Sequence, residues 1–146
     1  MKDFEALEHT ADLKIRTYGA TLQELFINAL KGMFQSIQPK APSCMYKNDR
    51  LICSALPQKR TVDISSSELD LLLVDFLSEA LYLSDTFNEA YLDATIEYFN
   101  NQQIKAILMG VHIEGFEVVE IKAVTYHDLT IKNIQGIWQA DIVFDI

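Results

Sequence analysis

Leu13, Ile15 and Thr17 alternate with Lys14, Arg16 and Tyr18, a period of two that predicts a half-buried strand ending at Gly19. The period then lengthens. Leu22, Leu25, Phe26, Ala29, Leu30, Met33, Phe34 and Ile37 recur at helical spacing, and Thr21 followed by Glu24 is a capping-box signature at the helix start. Pro39 and Pro42 break the pattern, so residues 38–48 read as a loop, the most mobile stretch of the chain. Short strands are predicted at residues 50–56 and 59–64, with Pro57 between them. Ser65 and Glu68 make a second capping box before a stripe of Leu69, Leu72, Leu73, Phe76, Leu77, Ala80 and Leu81. Beyond Glu89 the period returns to two. Residues 90–99, 104–113, 118–127 and 137–146 read as strands, divided by Asn100-Asn101, Glu114-Gly115 and Gln135-Gly136 turns.

This order predicts an α+β fold over residues 1–146 as a single domain: a mostly antiparallel sheet with two amphipathic helices packed on one face. The longest aliphatic run, Leu71 to Val74, is far short of the ~20 residues of a membrane span. Met1-Lys2-Asp3-Phe4-Glu5 lacks the apolar core of an export signal. A soluble, cytoplasmic protein is the expectation, and with it free thiols at Cys44 and Cys53, which would form a bridge only in a secreted chain and lack the C-x-x-C spacing of a zinc or redox site.

Charge changes the picture most. Twelve basic against 21 acidic residues give a net charge of −9, which opposes direct nucleic-acid binding, since that draws on lysine and arginine at phosphates. A basic partner or a cation suits such a chain better. The chain has no phosphate loop of the G-x-x-x-x-G-K-[ST] form, no G-x-S-x-G elbow and no H-E-x-x-H.

Side chains capable of chemistry gather in His9-Thr10-Ala11-Asp12, in residues 120–127 and at Phe144-Asp145-Ile146. If the last segment is a strand tied into the sheet, Asp145 and the final carboxylate at Ile146 lie within one residue. Their repulsion is relieved by a hard cation such as Ca²⁺, Mg²⁺ or Mn²⁺, or by a lysine; a solvated chain end is the simpler alternative. His9 and Asp12 read either as loop residues or as part of that site. Lys122, in a strand-like stretch with Val118, Glu120, Val124 and Tyr126, reads either as an ion-pair partner of Glu120 or as a functional ammonium.

Five blocks carry a resemblance. They are Glu8-His9-Thr10-Ala11-Asp12; Tyr18-Gly19-x-Thr21-Leu22-x-Glu24-x-Phe26; Leu72-Leu73 with Phe76-Leu77-x-Glu79; Glu120-Ile121-Lys122-Ala123-x-Thr125-Tyr126; and Phe144-Asp145-Ile146. In this order and at these positions the chain resembles the archease family from end to end, with Phe76 and Ser78 departing from the Trp and Asn of the family pattern. The resemblance implies an α+β fold and a non-catalytic cofactor of RtcB-type RNA ligases in tRNA splicing and RNA repair. Such a cofactor promotes guanylylation of the ligase and supports its repeated turnover. It also implies a metal site, usually described with Ca²⁺, at Asp12, Asp145 and Ile146, and ligase-activating roles for Lys122 and His9. The other function classes are a free-standing metal-dependent hydrolase and a chaperone-like modulator of RNA-modifying enzymes such as tRNA methyltransferases.

Overall fold

A computed structural model describes residues 2–7 and 12–146. Strand β1 (Phe4–Leu7) pairs antiparallel with β2 (Leu13–Gly19), the strand predicted from the first alternation. Helix α1 (Leu22–Ser36) follows at once, and Thr21 caps it by accepting the Glu24 N–H at 3.1 Å. A hairpin of β3 (Cys44–Lys47) and β4 (Arg50–Cys53) comes next, then β5 (Gln58–Ser65) and helix α2 (Leu69–Phe87). Asn88 ends α2 in the left-handed region, its N–H bonded to the Ser84 carbonyl. The chain closes with β6 (Glu89–Asn100), β7 (Gln103–His112), β8 (Ala123–Val124), β9 (Ile131–Ile134) and β10 (Ile137–Asp145).

The two helices and antiparallel pairing agree with the predicted α+β class. The described strands divide into two principal sheets and the short hairpin. One sheet runs β1-β2-β10, with β8 and β9 sharing the far edge of β10; the other runs β5-β7-β6. Helix α1 packs on β2 and β1 of the first sheet and on β6 of the second, while α2 lies on β5, β6 and β7 and reaches β8. Phe26 therefore meets Phe76 at 5.8 Å and Phe99 at 5.1 Å, and Phe34 stands edge-on to Tyr91 at 5.6 Å. At Gly110, β7 passes so close to β6 that a Cβ would lie 2.0 Å from the Ala90 carbonyl oxygen. Only glycine fits there.

Several local expectations are corrected. Ser65 does not cap α2: it pairs with Gln103 as the last residue of β5, and Glu68 occupies the N-cap without a side-chain bond. The stretch 38–48 is pinned, because Lys40 N–H bonds Gly115 O at 2.8 Å and Glu117 N–H bonds Gln38 O at 2.8 Å. Its last part is β3, turned into β4 by Asn48 and Asp49, both at positive φ as a tight hairpin turn requires. That turn makes Cys44 and Cys53 direct partners, 4.5 Å apart at Cα, and they form a disulfide. The expectation of free thiols, drawn from the lack of an export signal in Met1–Glu5, fails because the hairpin register sets the two cysteines side by side. Gln35 clamps this hairpin to α1, accepting from Leu51 N–H at 2.9 Å and donating to Leu51 O at 3.1 Å.

One buried charge is fully matched. Glu89, 3% exposed, accepts two hydrogen bonds from Arg60 at 2.9 Å and one from the Tyr91 hydroxyl at 2.8 Å. The Arg60 guanidinium also stacks 3.6 Å from the Phe87 ring centroid. The hydrogen bonds from Arg60 hold the Glu89 carboxyl below its ordinary value, against the upward push of burial. Glu89 thus adds stability above the ordinary carboxylate range and loses it as pH falls through its lowered folded value. In Arg60→Ala the carboxylate stays buried without its cation, so its pKa rises above the unfolded value and the sign reverses. The gap in Tm between wild type and this variant should be widest near about pH 7 and narrow toward about pH 4. A gap that is constant across a calorimetric pH series would contradict this coupling.

Candidate functional site

The register of β2 with β10 decides where distant residues meet. Trp138 faces Gly19 at one end of this ladder and Phe144 faces Leu13 at the other. Ile15 opposite Ile142 buries the inner face, and Arg16 opposite Asp141 closes the outer one with bonds of 2.7 and 3.0 Å. These bonds from Arg16 hold the Asp141 carboxyl below its ordinary value. One residue past Leu13 is Asp12; one residue past Phe144 is Asp145. The ladder therefore brings both aspartates to the same end of the sheet, although 133 positions separate them in sequence.

A third element arrives at that end from β8. Asp145 pairs with Ala123, and the Lys122 N–H donates to the Asp145 carbonyl oxygen at 2.7 Å. Lys122 does not sit in a long strand as the alternation of residues 118–127 suggests. Regular pairing is confined to Ala123–Val124, and the flanking residues form an extended loop. Ile121 and Val124 face the core at 7% and 8% exposure, while Lys122 is exposed. Among the described residues it makes no ion pair, so the Glu120 pairing is not formed.

The loop is nonetheless held firmly. The Thr125 N–H and hydroxyl both bond the Val143 carbonyl, at 3.1 and 3.0 Å, and the Tyr126 hydroxyl reaches Asp75 on α2 at 3.4 Å. Two main-chain bonds, from the Lys122 and Thr125 N–H groups, and two side-chain bonds, from the Thr125 and Tyr126 hydroxyls, thus hold the segment around Lys122 and leave its ammonium in solvent. Exposure, not burial, makes this amine available.

Asp12, Asp145 and the main-chain oxygens of Ile146 are hard donors, the class that Ca²⁺, Mg²⁺ or Mn²⁺ prefers. Asp145 and Ile146 are exposed and Asp12 is half-buried. Among the described residues no three His, Cys, Asp or Glu side chains cluster tightly enough to hold a metal ion. A cation at this end would therefore depend on main-chain or solvent oxygen beside the two aspartates. His9 lies outside the described residues.

The sequence pattern also passed over a groove next to Lys122, bordered by Tyr82 and Asp85 of α2. The only signal for it is that these two stand off the apolar stripe of the helix, with Tyr82 63% exposed.

A sequence model of the Archease protein family (MTH1598/TM1083) matches residues 4–146. Protein archease of Methanosarcina mazei is 35% identical, across 99% of this chain and 97% of its own length. Protein archease of Thermococcus kodakarensis is 31% identical across the whole of both chains. The solution structure of Methanobacterium thermoautotrophicum protein 1598 superposes over all of both chains with a TM-score of 0.69 and 28% identity. The crystal structure of an archease and possible chaperone from Thermotoga maritima shares the fold, with a TM-score of 0.62 over 97% of this chain and 20% identity. Matched along almost its entire length by the family and by these relatives, the chain belongs to the Archease protein family.

Proposed function

We propose that this protein is a non-catalytic cofactor of an RtcB-type RNA ligase, acting in the cytoplasm to promote guanylylation of the ligase and its repeated turnover in tRNA processing or RNA repair. The observation that carries the reading is the meeting of Asp12, Asp145 and Lys122 at one end of the β2–β10 ladder. These are the positions to which the family resemblance assigns a cation and an activating lysine. The acidic surface supports a basic protein partner over RNA itself.

Asp12, Asp145 and the main-chain oxygens of Ile146 would hold the cation, which would supply positive charge to offset the repulsion of the carboxylates. Lys122 presents a solvated ammonium from a loop whose backbone is tied to Asp145 and Val143 and whose Tyr126 side chain reaches α2. Docked against the ligase, that ammonium stabilises the ligase conformation competent to accept the guanylyl group, a shift of population between ligase states. Each tenfold preference for that state corresponds to about 1.4 kcal/mol. No group of this chain is asked to bond to the nucleotide.

Adding the protein to the ligase from the same source should raise the rate of ligase labelling by GTP that is radioactive at its α-phosphate. The label should stay off this chain; a labelled band of this protein, or an unchanged rate, contradicts the reading.

Lys122→Ala keeps the backbone N–H that bonds Asp145, so stability should change by no more than ~0.5 kcal/mol, as for other surface positions. Stimulation of the ligase should fall at least tenfold. Wild-type stimulation from the folded variant would show this lysine to be idle.

Asp145→Asn removes one hard anionic donor at an exposed position. Calorimetric titration should show Ca²⁺ and Mn²⁺ affinity weakened by roughly tenfold or more, with Tm nearly unchanged. Equal affinity in both proteins would move the cation elsewhere.

A further inference from the structure

The C-terminal half of α2 and the loop of residues 113–122 enclose a groove of about 500 Å³. Leu81, Ile113 and Ile121 make its floor apolar, and its rim carries Tyr82, Asp85, Glu120 and Lys122. Among the described residues neither Asp85 nor Glu120 makes an ion pair. The last turn of α2 itself holds no basic residue, so the negative end of its dipole adds to these two carboxylates. The single cation on the rim, Lys122, leaves the lining net negative.

Three classes of occupant can be weighed. A nucleic acid would bring phosphates to a negative rim. A bare metal ion would find no three clustered side-chain ligands, since none exist among the described residues. An arginine or lysine side chain flanked by an apolar residue suits every feature: its cation meets the carboxylates, its neighbour covers the floor, and Tyr82 offers an exposed ring face. Arginine fits better than lysine, being more weakly hydrated and planar.

We propose that this groove receives a surface segment of the ligase bearing an arginine or lysine beside an apolar residue, and that this contact seats the ligase next to Lys122. The proposal rests on the reading of the protein as a ligase cofactor. It adds a docking function beside the activating end of the β2–β10 ladder, with Lys122 at the border of the two.

The test is the affinity of dye-labelled protein for the RtcB-type ligase of the same source, read by fluorescence anisotropy. In the charge-reversed pair Asp85→Lys with Glu120→Lys, Kd should rise at least tenfold. The control pair Asp63→Lys with Glu97→Lys makes the same change of net charge on exposed positions of β5 and β6 and should leave Kd within twofold. Thermal melts confirm that both pairs fold. Wild type that fails to bind the ligase sinks the cofactor reading, and the docking proposal with it. Binding of wild type and of the Asp85/Glu120 pair with equal Kd sinks the docking proposal alone, as does an equal loss in the control pair. A photo-crosslinking residue, Tyr82→p-benzoylphenylalanine, gives a second readout. A cross-linked ligase peptide with an arginine or lysine next to an apolar residue supports the groove, and a cross-link confined to peptides without basic residues overturns it.

Discussion

The antiparallel ladder between β2 and β10 is the constraint on which the rest of the molecule depends. Seven consecutive register pairs join residues near the two ends of the chain, and loop closure over that separation carries a substantial entropic cost. Burial of Ile15, Ile142 and Phe144 against α1 offsets it. The register cannot slip by one residue without turning Arg16 and Asp141 into the core and Ile15 and Ile142 out to water. A single alignment of two strands thus fixes which backbone atoms stand beside Asp12 and Asp145.

The second consequence of that ladder is the placement of Lys122. Strand β10 presents the Asp145 and Val143 carbonyls to the loop that carries the lysine, and the loop takes both through Lys122 and Thr125. Tyr126 adds a tether to α2. An exposed lysine on a flexible stem gains a defined origin in this way, because its main chain is fixed even though its side chain is solvated. The same loop forms one wall of the acidic groove, so the proposed docking and activating positions share a rigid support.

Much of this was legible in the sequence, and the misses have identifiable causes. Helix α1 was readable because its stripe of eight apolar positions coincides with a true N-cap at Thr21. The long strands β6, β7 and β10 were readable from alternation. The hairpin was not, since four-residue strands carry little periodic signal and the Pro39 and Pro42 punctuation masked β3. Its register, and with it the disulfide, is set by the left-handed pair Asn48 and Asp49. Ser65 and Glu68 have the spacing of a capping box, yet pairing of Ser65 with Gln103 in β5 outcompeted the cap. At Lys122 the alternation of residues 118–127 suggests a strand, but the apolar residues there anchor a loop, with Ile121 and Val124 buried and Val119 packed partly against the core. The convergence of Asp12 with Asp145 follows in the sequence only from the family resemblance, which assigns both to one metal site, and the β2–β10 register brings the two to the same end of the sheet.

The central claim is that one end of the β2–β10 ladder gathers Asp12, Asp145 and Lys122 into a single cation-bearing tip. Paramagnetic broadening by substoichiometric Mn²⁺, followed in the amide spectrum of the uniformly labelled protein, measures this directly. The account predicts that the amide signals of Asp12, Leu13, Lys122 and Asp145 broaden first and together, while those of the β5-β7-β6 sheet stay sharp. Broadening centred on another acidic stretch, or spread evenly over the exposed carboxylates, would contradict it.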